Sequence, residues 1–454
     1  MSSGSLTRRR LWAFRLVVLA MAIVLPLAAG ELAIRIMFRD GGTTTLGGPG
    51  GREFGYRYLD TLSERRTQTV TGPKAPGVTR LLILGDSITW GIGVRDWQQI
   101  YPNKLLNLLD HAGGRRFDME VYAYGGKNID GHARAVEAKA EELAPDFIIY
   151  QWYNNDIEID VQGPRWHLWW QEWQGHYWLT RHSWLYETLD RLLSQRAVAK
   201  GWGGRPSYAR HLVTNYAEGT AGWTLFADQF HRWASYSNAY AKHVLMFLYP
   251  QVPFKGQYPL EDLNARMRAL ARPHALTYPA WWMGRRVGQN VADASGTGGY
   301  VRKSNGQAGF LAYGPAIPLG RGHYDIAERF RLDGSASGTV EAIDIVADGK
   351  VLAHRDVAAT DCAAPGAWST VTVPIDLAAP LTKEVEWRIT VAPGVRMSID
   401  TVSLPVNYDR LEVLDLKDRL NTFDTHASIF DSHPNARAHA ELAKALAEWV
   451  LSKT

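Results

Sequence analysis

Apolar positions along this chain fall into three regimes. From Leu11 to Ala29 they run almost without interruption behind Arg8-Arg9-Arg10, broken by Arg15 and Pro26. Such a run predicts a membrane-directed helix, its basic end held on the cytoplasmic side and the remainder of the chain exported. Residues 1–40 are read as a cytoplasmic stub and an uncleaved transmembrane anchor, because apolar residues continue through Leu32-Ala33-Ile34 to Phe38. A cleaved signal peptide is the rival reading. Arg15 lies close enough to the cytoplasmic end to snorkel. Residues 41–78, Gly-rich between Gly41 and Gly51, read as a flexible tether.

The second regime starts at about Thr79. Short apolar runs at Leu81–Leu84, Met119–Tyr122, Phe147–Tyr150, Val244–Tyr249 and Leu411–Leu414 alternate with helical runs near 97–112, 131–143, 259–271 and 436–451. This alternation predicts an α/β fold with a five-stranded parallel sheet, and right-handed crossovers bring the strand ends to one edge. The third regime, about 280–406, changes period. Val371, Val373, Ile375 and Leu377 alternate with polar residues, as do Val385, Trp387, Ile389 and Val391, and Asp348-Gly349 is a hairpin signal. An antiparallel β-sandwich is expected there. It enters after a helix of the α/β fold and returns just before the fifth strand, so it is an insertion that a Gly/Ser linker should replace. The expected order is 79–279, the inserted 280–406, then 407–454. Residues 157–240 are too long for a single connection and form an aromatic-rich cap with Trp166, Trp169, Trp170, Trp173, Trp178 and Trp184. These rings either fill the cap's own core or lie exposed, to stack on sugar faces or rest at a membrane interface.

Candidate chemistry sits at the strand ends. Leu81–Leu84 runs into Gly85-Asp86-Ser87, where open α/β sheets place their ligands. Ser87 as a mere cap of a helix from about Asp96 is the bland alternative. Far along the chain, Asp431-Ser432-His433 precedes the last helical run. A hydroxyl nucleophile needs a base, and the base needs a carboxylate to orient it; Ser87, His433 and Asp431 supply those types. Asp86 is expected to order the turn, and His439 to be a packing residue.

Together these segments resemble the SGNH (GDSL-type) hydrolases, whose first block is Gly-Asp-Ser and whose last is an Asp-His pair before the C-terminal helix. The glycine of the second block falls in Tyr124-Gly125-Gly126-Lys127, at Gly126. The third block matches Asn155-Asp156, with Tyr153 where a glycine is usual, and the last has Asp-x-His where Asp-x-x-His is common. The resemblance covers about 79–273 and 407–451. It implies a three-layer, flavodoxin-like fold and a serine esterase: Ser87 nucleophile, His433 general base, Asp431 its orienter. The backbone N–H groups of Ser87 and Gly126 and the Asn155 amide would form the oxyanion hole. Taken alone, Asn155 also suits an Asn-Asp turn. The stretches Gly314-Pro315 and Gly322-His323-Tyr324 loosely resemble jelly-roll carbohydrate-binding modules.

Composition narrows the partners. Lys+Arg 50 against Asp+Glu 46 is too balanced for nucleic acid. The single Cys362 excludes an internal disulfide, and no Cys/His spacing suits zinc, so neither metal nor cofactor is expected. The expected protein is a periplasm-facing esterase of the inner membrane, removing O-acyl, chiefly O-acetyl, groups from a glycan. Alternatives are an O-acetyltransferase served by a membrane acyl-donor protein, and a non-catalytic glycan-binding or assembly protein.

Overall fold

The computed structural model describes residues 3–37, 73–92, 94, 96–158, 170, 173–202, 206–320, 322–378, 384–428 and 431–454. The tether reading of 41–78 falls mostly outside these residues. Trp166, Trp169 and the side chain of Asp431 also lie outside the described part.

Helix α1 (Ser3–Met37) carries the apolar run and passes through Pro26. Its Arg8–Ile36 stretch is the one helix among the described residues long and apolar enough to cross a membrane. At 1.5 Å per residue it reaches roughly 43 Å, beyond the ~30 Å hydrocarbon thickness.

The sheet begins at β1 (Val78–Gly85), followed at once by the one-turn helix α2 (Ser87–Trp90). Helix α3 (Tyr101–His111) leads to β2 (Arg116–Ala123), and α4 (Ile129–Leu143) to β3 (Phe147–Trp152). The helix expected near 97–112 is split: Asp96 caps a short 3-10 turn at Trp97–Gln99, and α3 starts at Tyr101 with Pro102 in its first turn. Helices α5 (Gln174–His182), α6 (Trp184–Lys200), α7 (Tyr208–Asn215) and α8 (Ala221–Tyr240) precede β4 (His243–Leu248), and α9 (Glu261–Leu270) follows it.

Antiparallel pairing then takes over, from His274 rather than from about 280. The strands are β5 (His274–Pro279), β6 (Gln289–Ala292), β7 (Tyr300–Lys303), β8 (Gly309–Tyr313), β9 (Gly322–Leu332), β10 (Thr339–Ala347), β11 (Lys350–Ala358), β12 (Ser369–Leu377), β13 (Val385–Val391) and β14 (Met397–Val406). One sheet runs β12-β9-β14-β7-β6, with β5 also on β14; the other runs β11-β10-β13-β8. Val371, Val373 and Ile375, like Val385, Trp387, Ile389 and Val391, point into the core between them. Asp348 and Gly349 join β10 to β11 with φ of 51° and 71°, the paired positive values of a type I′ turn.

The chain returns through β15 (Leu411–Asp415), α10 (Lys417–Leu420), the hairpin β16 (His426–Ser428) and β17 (Asp431–Pro434), and α11 (Ala436–Lys453). β15 completes a five-stranded, all-parallel sheet of order β2-β1-β3-β4-β15. Leu81 to Leu84 are fully buried because both faces are covered. Leu82, Leu84 and Tyr150 pack with Val136 of α4 and Trp233 of α8; Leu81, Ile83 and Ile149 pack with Leu105 of α3 and Leu446 of α11.

The described aromatic residues of 157–240 divide between core and surface. Trp223, Phe226, Phe230 and Trp233 of α8 are buried core residues, whereas Trp173, Tyr177 and Trp178 at α5 are exposed.

The sandwich buries a polar pair that its alternating pattern did not announce. Glu328 of β9 and Glu341 of β10 face one another in the core, bonded by no third group among the described residues. Burial pushes Glu341 up to about 8 and Glu328 well above the usual carboxylate range, the neighbouring carboxyl adding to the effect on Glu328. Both are thus protonated in the folded state at neutral pH. A raised folded pKa gives stability that is complete below the unfolded value near 4.5 and lost as pH climbs through about 8. Thermal unfolding should show a melting temperature that drops by several degrees between pH 5 and 8. Glu341→Gln, which needs no proton to stay neutral, should flatten that decline; an unchanged slope would refute the assignment.

Candidate active site

The turn after β1 is built by close approach. A Cβ on Gly85 would stand 1.9 Å from Thr89 Oγ1 and 2.7 Å from Gln151 Oε1, so only glycine fits. Asp86 then caps α2, its carboxylate accepting the Ile88 N–H at 2.8 Å. Gln151, on the adjacent β3, fixes the turn from beneath: its Oε1 accepts the Asp86 N–H at 3.1 Å and the Thr89 hydroxyl at 3.0 Å. Thr89 Oγ1 also lies 2.8 Å from Tyr101 Oη. Ser87 is therefore not a cap of a later helix. It is the first residue of α2, held on a turn whose own cap is Asp86.

His433 arrives from the other end of the chain. Its Nε2 lies 2.9 Å from Ser87 Oγ, a hydrogen bond spanning 346 residues of sequence. Asn435 stabilises the approach: Oδ1 accepts the Ala438 N–H at 2.9 Å as the cap of α11, while Nδ2 donates to the carbonyls of Asp424 and His426. One side chain thus ties the β16–β17 hairpin to the helix and sets His433 between them. Asp431 is the first residue of β17, two residues ahead of His433.

The remaining candidates follow the neighbouring strands. β1 and β2 run in register with Gly85 opposite Ala123, so Ser87 and Gly126 both lie just past the same sheet edge. Gly126 has φ of 73° in a turn closed by Lys127 N–H to Tyr124 O at 3.2 Å. An added Cβ would meet nothing there, so the left-handed backbone, not packing, demands glycine. Trp90 of α2 stacks on Tyr124 at 5.5 Å, bringing this turn against the Ser87 turn. Asn155 lies in the 3-10 turn Asn154–Ile157 directly after β3, on the Asp86 side of the site, where its amide favours the charged form of Asp86.

Beneath the turn lie buried acids. Burial pushes Asp86 up to about 6, against the pull of the Ile88 N–H, the His433 charge and the Asn155 amide. Asp156, fully buried, is raised well above the carboxylate range by burial and then by Asp86, although it accepts the Tyr153 N–H at 2.8 Å. His132 Nε2 stands 3.9 Å from Asp156 Oδ1, but burial depresses the histidine to about 3. The two form a neutral pair rather than an ion pair. His439 is likewise buried and neutral, near 3, its Nδ1 accepting the Tyr101 N–H at 3.1 Å, and it joins α11 to α3 as a packing residue does.

Gln151, Thr89 and Tyr101 belong to no motif that marks them in the sequence as part of this site. The available signal was Gln151 itself, an amide in a strand otherwise buried and apolar. Among the described residues no group of three or more His, Cys, Asp or Glu side chains could hold a metal ion.

No family model and no curated protein matches this chain. Among solved structures, the C-terminal family 6 carbohydrate-binding module of LamC from Zobellia galactanivorans is 17% identical, covering 29% of this chain and 100% of its own, with a TM-score of 0.23. A family 35 carbohydrate-binding module from Clostridium thermocellum is 15% identical, covering 29% of this chain and 97% of its own, with a TM-score of 0.23. TesA is 16% identical over 42% of this chain and 73% of its own, with a TM-score of 0.24. Likenesses at this level carry no argument about the site.

Proposed function

We propose that this protein is a membrane-anchored serine esterase of the SGNH type, facing the periplasm and removing O-acyl groups, chiefly O-acetyl, from a glycan. One observation carries the reading: Ser87 Oγ and His433 Nε2 are 2.9 Å apart at the carboxyl edge of a parallel sheet. The strand order 2-1-3-4-5 supports it, being a doubly wound order that places ligands at that edge.

In this mechanism His433 takes the Ser87 proton as Oγ attacks the acyl carbonyl, then returns it to the leaving alcohol. Water, deprotonated by the same imidazole, releases the acyl group. Asp431 orients the base. The Ser87 N–H, in the first turn of α2, has no intrahelical acceptor and faces developing charge together with the Gly126 N–H. Asn155, whose amide carries two N–H donors and no titrating charge, supplies the third donor to the oxyanion. Asn155→Ala should therefore lower kcat by roughly 10²-fold with little change in KM. A loss confined to KM would remove Asn155 from the oxyanion hole.

The glycan reading is supported by the apolar helix α1, the antiparallel β-sandwich and the exposed rings near the cap. The proposal as a whole is tested by a fluorophosphonate probe on the purified full-length chain. Labelling at Ser87, abolished in Ser87→Ala, is expected. A folded protein that neither labels nor turns over any acyl ester would leave a binding role instead.

A further inference from the structure

The end of the apolar helix is not free. Glu31 of α1 sits at the N-terminus of α6, where Oε2 accepts the Ser183 hydroxyl at 2.9 Å and the Leu185 N–H at 2.9 Å, and Oε1 accepts the Trp184 N–H at 3.1 Å. A carboxylate there meets the unpaired N–H groups and positive end of the helix. Arg35, one turn on, donates to Glu31 at 2.7 Å and to the His182 carbonyl that ends α5 at 3.1 Å, with its guanidinium over the Trp184 ring. Gly30 permits the approach: a Cβ there would lie 3.1 Å from Leu185 Cδ2. Two residues of the candidate membrane helix thus grip both helices of the cap's first half.

Beside this grip lies exposed apolar surface. On α6, Leu185 meets Gly30, and the same stripe continues through Leu189 and Leu193, both exposed. On α5, Trp178 stacks on His182 at 4.5 Å, within a turn of the Arg35 contact, yet is 60% exposed; Tyr177 is 69% exposed and Trp173, just before the helix, 61%. Trp and Tyr with one apolar side and one wet edge concentrate at the membrane–water interface. A helix that leaves a bilayer at its Glu31 end delivers these residues to the interface by direct continuity.

We propose that α5 and α6 form a membrane-seated platform: clasped to the anchor by Glu31 and Arg35, they rest Trp173, Tyr177, Trp178, Leu189 and Leu193 in the phospholipid interface. The proposal rests on the reading of α1 as a membrane anchor, and it is independent of the chemistry at Ser87. Its consequence is that the α/β domain is held against the bilayer by a second attachment rather than swinging from α1 alone.

The test uses the full-length chain with Cys362→Ser, reconstituted in vesicles of phosphatidylethanolamine and phosphatidylglycerol doped with phospholipids spin-labelled along the acyl chain. A bimane probe is attached after Leu19→Cys in mid-anchor, Tyr177→Cys on the platform or Val351→Cys on the exposed edge of the sandwich. Quenching at position 177 should exceed that at 351 several-fold, and should fall towards the 351 level when Glu31→Ala and Arg35→Ala are added. Quenching at 19 but not at 177 overturns the platform and leaves the anchor intact. No quenching at either 19 or 177 removes the anchor reading itself. Equal quenching at 177 and 351 overturns the platform too, since lipid contact would not be confined to the cap. Undiminished quenching at 177 in the Glu31→Ala, Arg35→Ala variant overturns the clasp.

Discussion

Ser87→Ala and His433→Ala should each lower turnover of an acyl ester by at least roughly 10³-fold, and the double variant should be no worse than the more damaged single one. The reasoning is that a serine hydroxyl is a poor nucleophile until a base removes its proton, and a base has nothing to do once the hydroxyl is gone. Groups that act as one unit cannot lose their effect twice. The 2.9 Å separation already holds the pair at hydrogen-bond distance without substrate. Binding of the acyl group does not need to create that contact, so KM should move far less than kcat. His439→Ala supplies the control. Its ring accepts the buried Tyr101 N–H, and truncation leaves that donor unpaired at a cost of about 1–3 kcal/mol. The control should therefore melt earlier while the folded fraction keeps its kcat. If the double variant were much slower than either single one, Ser87 and His433 would be acting separately and the nucleophile–base assignment would fall.

How much of this site the chain declares is a matter of range. Leu81–Leu84 and Phe147–Tyr150 are runs too apolar for anything but strands buried on both faces, and both take up that role. Asp348-Gly349 needs positive φ at two successive residues, a demand local enough to read directly. Asp86 as the residue that orders the turn is equally local, since its partner is two residues away. Gln151 is different. Its purpose appears only when β3 lies beside β1 and its amide meets Asp86 and Thr89, 65 and 62 residues away in sequence. The same applies to Glu31, a lone acid at the end of an apolar run whose partners at 183–185 lie across the fold. The start of the antiparallel region is hidden in the sequence for a related reason. His274–Pro279 directly follows a helix, and only its pairing with Thr401–Val406 marks it as part of the β region.

That pairing bears on the β-sandwich, which the change of period presents as a removable insertion. Replacing residues 280–406 by a Gly/Ser linker should give a protein that does not fold. The apolar core is continuous from Leu84 and Tyr150 in the parallel sheet, through Phe230 and Trp233 of α8, to Tyr278, Trp387 and Ile399 in the antiparallel strands. Excision would strip Trp387 from Tyr278, whose rings meet at 5.6 Å, and leave β5 without β14. Polar groups would suffer as well. His231 of α8 is buried and neutral, near 3, with Nδ1 2.8 Å from Tyr408 Oη and Nε2 3.0 Å from the Pro318 carbonyl. Arg232 donates to the Ala316 carbonyl and pairs with Glu384. Without 280–406 each loses a partner. Burying one large apolar side chain is worth roughly 1.5–3 kcal/mol, and a whole domain is stable by only about 5–15 kcal/mol. A handful of such losses on α8 exhausts the total, and α8 covers the face of the sheet whose edge carries Ser87. The excised chain should be insoluble or show no cooperative thermal transition, with no fluorophosphonate labelling. A soluble product that melts cooperatively and labels at Ser87 would show instead that the α/β core closes without the sandwich, and that the shared core is a contact between two independent units.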